Sequence, residues 1–166
     1  MPRRKQTNQS LRHRFGRNRI VLIGAIAALC VGVGVVSYRS FIPVNGSTPV
    51  LQAPVNHFIK ATHSQGSGYH WISVASGKVK GSRTPGGSVT DPTYVFNKGE
   101  LESIHVINED YDTHSRHNFN IDEFNVHSKD LDYFGGESIT ILADRVGTFE
   151  YYCSIHPEMR GSITIE

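Results

Sequence analysis

An uncharged apolar stretch divides this chain of 166 residues into two unlike parts. The stretch covers residues 20–36 without a charged side chain, and Ser37 and Tyr38 extend it by two positions. A helix of that length measures about 26–29 Å, which is near the short end of what crosses a bilayer. The sequence therefore predicts a transmembrane anchor over residues 20–38, preceded by a tail of residues 1–19.

Charge is distributed unevenly around the anchor. Residues 1–38 contain seven Arg and Lys and no Asp or Glu, whereas residues 39–166 contain ten basic residues against fifteen acidic ones. Basic residues flank membrane helices on the cytoplasmic side, so we expect a cytoplasmic N-terminus and an extracytoplasmic remainder at the cell membrane. A basic tail can also bind nucleic acid, but the apolar stretch behind it makes that unexpected here.

A cleaved signal peptide is the alternative to the anchor. Val35-Val36-Ser37 is an acceptable cleavage site, with small residues three and one before the cut. Signal cores usually contain about 7–15 apolar residues, and this stretch is longer. An uncleaved anchor is therefore the favoured interpretation, and cleavage stays open.

The remainder is interpreted as a linker followed by short strands. Residues 39–66 contain several Pro and Gly and no long periodic pattern, which predicts a flexible linker. From residue 67, short apolar segments recur about every ten residues between turn signals, a spacing typical of an antiparallel β-sandwich or barrel. Residues 67–166 are therefore predicted to form one all-β domain, with a long loop at 77–92. The predicted strands are 69–74, 93–96, 101–107, 117–121, 124–127, 138–142, 147–152 and 162–165.

Cys153 is the only cysteine outside the apolar stretch, so it lacks a partner for an intramolecular disulfide. His156 and Met159 follow it, which places a thiolate, an imidazole and a thioether within seven residues. These donors suit copper that cycles between Cu(I) and Cu(II).

A blue copper site needs a second imidazole. His117 is the leading candidate, because a ligand at the start of a strand is held in place by the packing of that strand. His114 is the nearest rival, and Glu158 is an alternative carboxylate ligand. The remaining histidine candidates of the domain are His70, His105 and His127.

Two motifs resemble the cupredoxins, the small blue-copper proteins of the plastocyanin and amicyanin type. One is Arg116-His117-Asn118-Phe119, and the other is the run from Gly147 to Gly161 with its Cys-x2-His-x2-Met loop. The resemblance covers about residues 90–166. It implies a Greek-key β-sandwich of about eight strands and a hydrogen bond from Asn118 to the cysteine loop. It also implies that one copper ion is bound by His117, Cys153, His156 and Met159.

The resemblance further implies a single-electron carrier with protein redox partners, and no enzyme, small-molecule substrate or nucleic acid. The alternatives are a copper delivery or storage protein and the electron-transfer module of a larger copper oxidoreductase. An oxidoreductase needs further histidine-rich copper centres and usually a second domain. The acidic stretch 109–112 is expected to be a solvated face, with docking of a basic redox partner as the alternative.

Overall fold

The computed structural model describes residues 7–76, 79–80 and 88–166, with side chains described for 19–74 and 88–166. The chain divides into two compact units, Met1–Phe41 and Ile42–Glu166.

The first unit contains one helix, α1, over Thr7–Ser40. Its 34 residues give a length of about 51 Å at the usual rise. The part from Arg19 to Ser40 has a mean hydropathy of 2.7, so by length and composition the helix is long and apolar enough to cross a membrane. A signal sequence near an N-terminus has the same properties. The helix also begins earlier than the predicted anchor, inside the basic tail.

The second unit is built from β-strands, in which successive side chains point to opposite faces of a sheet. One turn of 3-10 helix, Asp122–Phe124, lies between two of the strands. The strands that the structure describes are β1 Val55–Ser64, β2 Gly68–Ser76, β3 Val79–Lys80, β4 Thr93–Phe96, β5 Leu101–Asn108, β6 Asn120–Ile121, β7 Val126–His127, β8 Gly136–Leu142, β9 Gly147–Tyr152 and β10 Arg160–Ile165.

The strands form two sheets around one apolar core, so the predicted β-sandwich is confirmed. One sheet has the order β2-β1-β5-β8 and the other has the order β3-β4-β10-β9-β6-β7. Both sheets contribute buried side chains to the same cluster, for example Trp71 and Ile104 from the first and Phe96 and Ile163 from the second.

Two strand pairs differ from the expected antiparallel arrangement. β1 runs parallel to β5, with Val55 opposite Glu102, and β4 runs parallel to β10, with Thr93 opposite Ser162. Local alternation predicts that a segment is a strand, but pairing partners that are distant in sequence are chosen by the packing of the whole core.

The prediction of a linker over residues 39–66 is wrong for residues 55–64. These residues form β1, which lies between β2 and β5. The buried positions of β1 include His57, Ile59 and Ala61. A histidine and a small alanine on the buried face conceal the alternation, because only one of these three side chains is strongly apolar. His57 is accommodated in the core by a bond of 2.7 Å between its Nε2 and a carboxylate oxygen of Glu102.

The predicted loop at 77–92 lies only partly within the described residues, since 77–78 and 81–87 fall outside them. Val79 and Lys80 pair with β4 as the short strand β3. At the far end of this segment, Thr90 pairs with Ile72 of β2. The described parts of the segment are therefore attached to both sheets.

Candidate metal centre

The loop that carries Cys153, His156 and Met159 connects β9 to β10. Its backbone closes on itself: the Cys153 amide donates to the Met159 carbonyl at 3.1 Å, and the Met159 amide donates to the His156 carbonyl at 3.0 Å. The Trp71 indole donates to the Met159 carbonyl at 3.3 Å. These bonds fix a short loop whose side chains can point to one side.

His117 comes from a different part of the chain, just before β6. It forms an isolated bridge with Leu131, in which the His117 amide donates at 3.2 Å and the Leu131 amide donates back at 2.7 Å. The predicted strand at 117–121 is therefore shorter than expected, with β6 limited to Asn120–Ile121. The bridge still fixes the backbone of His117, whose side chain is completely buried.

The three potential ligands converge on one point. The Nδ1 atoms of His117 and His156 are 3.1 Å apart, and the Cys153 Sγ is 4.0 Å from the His156 Nδ1. Among the described residues this is the only group of three or more His, Cys, Asp or Glu side chains whose donor atoms lie so close together, within 4.8 Å of one another. Two imidazole nitrogens that present lone pairs to each other need a proton or a cation between them. The arrangement is suited to one metal ion.

Met159 belongs to the same loop, and its side chain is fully buried in the apolar cluster that also contains Cys153. Cys153 and His117 are equally buried, whereas His156 is half-buried. Three of the four predicted ligand residues thus lie in the interior, and the imidazole of His156 is the one nearest to solvent.

Asn118 joins the two parts of the site, as the family resemblance of the sequence implies. Its side-chain oxygen accepts a hydrogen bond from the Ser154 backbone amide at 2.8 Å. Its backbone amide donates to the Cys153 Sγ at 3.5 Å. The Asn118 side-chain nitrogen donates to Ser154 Oγ at 2.8 Å and to Asp130 at 2.9 Å. The residue next to one histidine therefore holds the cysteine loop against it.

Asp110 is a site neighbour that the sequence analysis missed. The acidic stretch 109–112 is expected to be solvated, yet the Asp110 side chain is completely buried and its Oδ2 lies 3.4 Å from the His117 Nε2. Burial raises the pKa of Asp110, but hydrogen bonds from Thr113 and Ser115 outweigh it and bring the pKa below its usual value. The neighbours Glu109 and Asp112 are much more exposed, so a charge pattern alone does not distinguish Asp110 from them.

Tyr69 on β2 is a second residue that the sequence analysis did not connect to the site. Its ring lies against the His156 ring at a centroid distance of 3.8 Å with the planes tilted by 31°, and it meets the His117 ring edge-on at 5.6 Å. Its hydroxyl lies 3.1 Å from Ser115 Oγ. Tyr69 covers one face of the half-buried imidazole.

Both histidines are held toward the neutral form. Burial lowers the pKa of His117, and the nearby His156 lowers it further, while Asp110 partly offsets these effects. Burial also lowers the pKa of His156, against smaller opposing effects of Glu158 and Asp110. Neutral imidazoles are the form that binds metal ions.

The other candidate ligands lie in different surroundings. The His114 ring stacks on Tyr133 at 4.2 Å, and His127 is an exposed residue close to Asp122. His70 bonds to the Gly68 carbonyl at 3.0 Å. His105 lies between Asn56 and Ser138, and the Glu158 side chain is exposed.

No protein-family model and no curated protein matches the chain. Solved structures similar to it include a reduced tryptophan-to-tyrosine mutant of amicyanin, with 20% identity and a TM-score of 0.36 over 45% of this chain and 69% of that one. A proline-to-glycine mutant of amicyanin in its reduced Cu(I) form has 18% identity and a TM-score of 0.38 over 70% of this chain and 86% of that one. The solution structure of a copper binding protein in the apo form has 16% identity and a TM-score of 0.42 over 69% and 92%.

Proposed function

We propose that this chain is a membrane-tethered, extracytoplasmic copper protein that carries single electrons between protein partners. The observation that supports the proposal is the convergence of the donor atoms of His117, Cys153 and His156 within 4.8 Å of one another. Met159 would be the fourth ligand, as a weak thioether donor.

The donor set favours copper over other metals. Two imidazoles and one thiolate with a long axial thioether are the ligands of blue-copper electron-transfer sites, whereas structural zinc sites take four Cys or His ligands. A single cysteine with a methionine fits the first description better. Bound copper would supply a one-electron couple between Cu(I) and Cu(II).

The protein's own residues would keep the ligand positions constant. The loop from Cys153 to Met159 is closed by backbone bonds, and Asn118 ties it to the strand region that carries His117. Ligands that are already in place need little rearrangement when the charge of a bound ion changes, which favours fast electron exchange. The half-buried His156 is the ligand closest to solvent and would be the exit and entry point for electrons.

The extracytoplasmic location depends on the N-terminal segment. The apolar part of α1, Arg19–Ser40, is long enough to cross a bilayer. The basic residues of the tail lie on the N-terminal side of this segment, and the last of them, Arg19, is its first residue. The positive-inside rule therefore supports a cytoplasmic N-terminus. The copper domain would then be tethered at the outer surface.

Copper titration of the full-length protein in detergent micelles tests the site. Addition of Cu(II) to the wild type is expected to produce an intense visible thiolate-to-copper band that saturates at one equivalent. Cys153→Ser should abolish the band. Cys30→Ser, which removes the thiol in the apolar helix, is the matched control and should retain it. A colourless wild type, or a band that survives Cys153→Ser, would contradict the proposal.

A second measurement separates an electron carrier from a copper delivery protein. The loaded protein is reduced and reoxidised repeatedly in the presence of a Cu(I) chelator, and the band is recorded after each cycle. A carrier is expected to recover the full band with the chelator free of copper. Stepwise loss of copper to the chelator would favour delivery.

A further inference from the structure

Asp110 carries a carboxylate that the proposed ligand set leaves without a role. It follows the end of β5, and its side chain has no exposed surface. A buried carboxylate is costly unless hydrogen bonds compensate for the lost water. Here Oδ1 accepts from the Thr113 amide at 3.1 Å, and Oδ2 accepts from the Ser115 amide at 3.1 Å and from the Thr113 hydroxyl. The turn 110–115 thus fixes the carboxylate through three hydrogen bonds of its own.

The carboxylate faces one nitrogen of His117, and the metal centre faces the other. The Asp110 Oδ2 is 3.4 Å from Nε2, at the long end of hydrogen-bond distances, while Nδ1 is 3.1 Å from the Nδ1 of His156. A neutral imidazole has one nitrogen that donates and one that accepts, and an ionised carboxylate only accepts. Contact with Asp110 therefore selects the tautomer in which Nε2 carries the hydrogen and Nδ1 presents its lone pair.

We propose that Asp110 is a positioning residue for His117: it holds the imidazole in the Nε2–H tautomer and directs Nδ1 at Cys153 and His156. This inference deepens the proposed copper site and rests on it for its effect on metal binding. Its effect on the tautomer concerns the metal-free protein and is independent of the metal.

The same turn also reaches the second imidazole. The Ser115 hydroxyl lies 3.1 Å from the Tyr69 hydroxyl, and the Thr113 hydroxyl lies 3.3 Å from it. The Tyr69 ring in turn contacts the His156 ring. One short turn is therefore connected to both histidines, directly through Asp110 and indirectly through Tyr69.

The first test is a spectroscopic measurement on the full-length, metal-free protein. Long-range 1H–15N NMR of the His117 ring, at a pH where the imidazole is neutral, distinguishes the two tautomers by their nitrogen shifts. We expect Nε2–H in the wild type. Asp110→Asn should move the shifts toward the other tautomer or toward a mixture. A wild-type ring that is protonated at Nδ1 would overturn the proposal.

Asp112→Asn is the matched control. It removes the same charge two positions along the turn, and the Asp112 side chain is about half exposed and contacts His63 instead of His117. The control is expected to leave the His117 shifts unchanged. Equal shift changes in Asp110→Asn and Asp112→Asn would mean that loop charge, and not the contact with the ring, determines the tautomer, which would overturn the proposal.

The second test measures the Cu(II) dissociation constant by competition with a chelator. Removal of the partner that orients a metal-bound histidine typically weakens affinity about 10–100-fold. We expect a loss of that size for Asp110→Asn, no loss for Asp112→Asn, and a partial recovery for Asp110→Glu, which retains the carboxylate. If Asp110→Asn binds Cu(II) as tightly as the wild type, the proposal is wrong.

The outcomes separate this inference from the proposed function. A wild type that forms no thiolate–copper band contradicts the copper site, while the tautomer measurement still decides the role of Asp110. If circular dichroism shows that Asp110→Asn does not fold, the tautomer of His117 in the wild type decides by itself whether the proposed role of Asp110 is correct. A normal wild-type copper site with an Nδ1–H ring in the metal-free state would refute only the inference.

Discussion

At the scale of single residues, the site is held together by side chains that bind no metal themselves. Asn118 is the clearest example, because its amide group bonds both to the backbone and to the hydroxyl of Ser154 on the cysteine loop. Its side chain is buried, so each broken bond would leave a polar group without water to replace the partner.

Asn118→Ala should therefore lower the stability of the metal-free protein. An unsatisfied buried partner typically costs about 1–3 kcal/mol, and the change should appear as a lower midpoint of chemical denaturation. Asn97→Ala is the matched control, since Asn97 makes one exposed bond to Glu100 and its removal should cost less than about 0.5 kcal/mol. Equal effects of the two variants would mean that Asn118 does not tie the loop.

Gly161 has a steric role in the second sheet. It lies inside β10, and a Cβ there would collide with the Tyr151 phenol ring. That phenol is itself fixed, because its hydroxyl donates to the Pro92 carbonyl at 2.6 Å.

Gly161→Ala should destabilise the sandwich, since the Tyr151 ring or the strand has to shift. Overpacking of this kind typically costs about 1–3 kcal/mol. In Gly34→Ala the added methyl group meets no atom within 4 Å, so this variant in the helix serves as the control. A Gly161→Ala protein with the wild-type thermal midpoint would show that the ring is not confined there.

At the scale of elements, several strands of the two sheets follow directly from sequence. The strands predicted at 93–96, 101–107, 138–142 and 147–152 agree with the structure to within two residues. These segments are rich in β-branched and aromatic residues and lie between clear turn signals, so local pattern and final packing coincide. β1 is not visible in the pattern because its buried face presents His57 and Ala61, and only the partner Glu102 makes the histidine acceptable in the core.

The same reasoning explains what could be predicted of the site. The Cys153 loop is contiguous in sequence, so its donor spacing is visible without a structure. Asp110 and Tyr69 approach the histidines only through folding: Asp110 through a turn that buries it, and Tyr69 through the placement of β2. The sequence alone does not indicate a role at the site for either residue. An aspartate in an acidic stretch is usually a solvated surface residue, and a tyrosine in a strand is usually part of the core.

Ile59→Ala tests whether β1 is an integral part of the sandwich. Ile59 is completely buried, and truncation of such a side chain typically costs about 2–5 kcal/mol. Leu51→Ala is the control, because Leu51 precedes β1 and is 86% exposed. If residues 55–64 were a flexible segment, neither substitution would change the free energy of unfolding in a denaturation experiment. That result would contradict the structure.

At the scale of the whole molecule, the chain joins an apolar helix to a β-sandwich that contains the candidate site. If the helix is an uncleaved anchor, the polypeptide isolated from membranes retains residues 1–19, and mass spectrometry should give the intact mass. A tag at residue 1 should be shielded from external protease in intact cells, while the β-domain should be accessible. A mature protein that begins after residue 37 would show a cleaved signal peptide instead.

The proposed site binds one copper ion through two imidazoles and one thiolate whose positions are set before the metal arrives. X-ray absorption at the copper edge, recorded on the full-length protein in both oxidation states, measures this ligand set. We expect one short sulfur and two nitrogen ligands, with nearly unchanged distances after reduction. A first shell without sulfur, or one that changes its ligand number upon reduction, would contradict it.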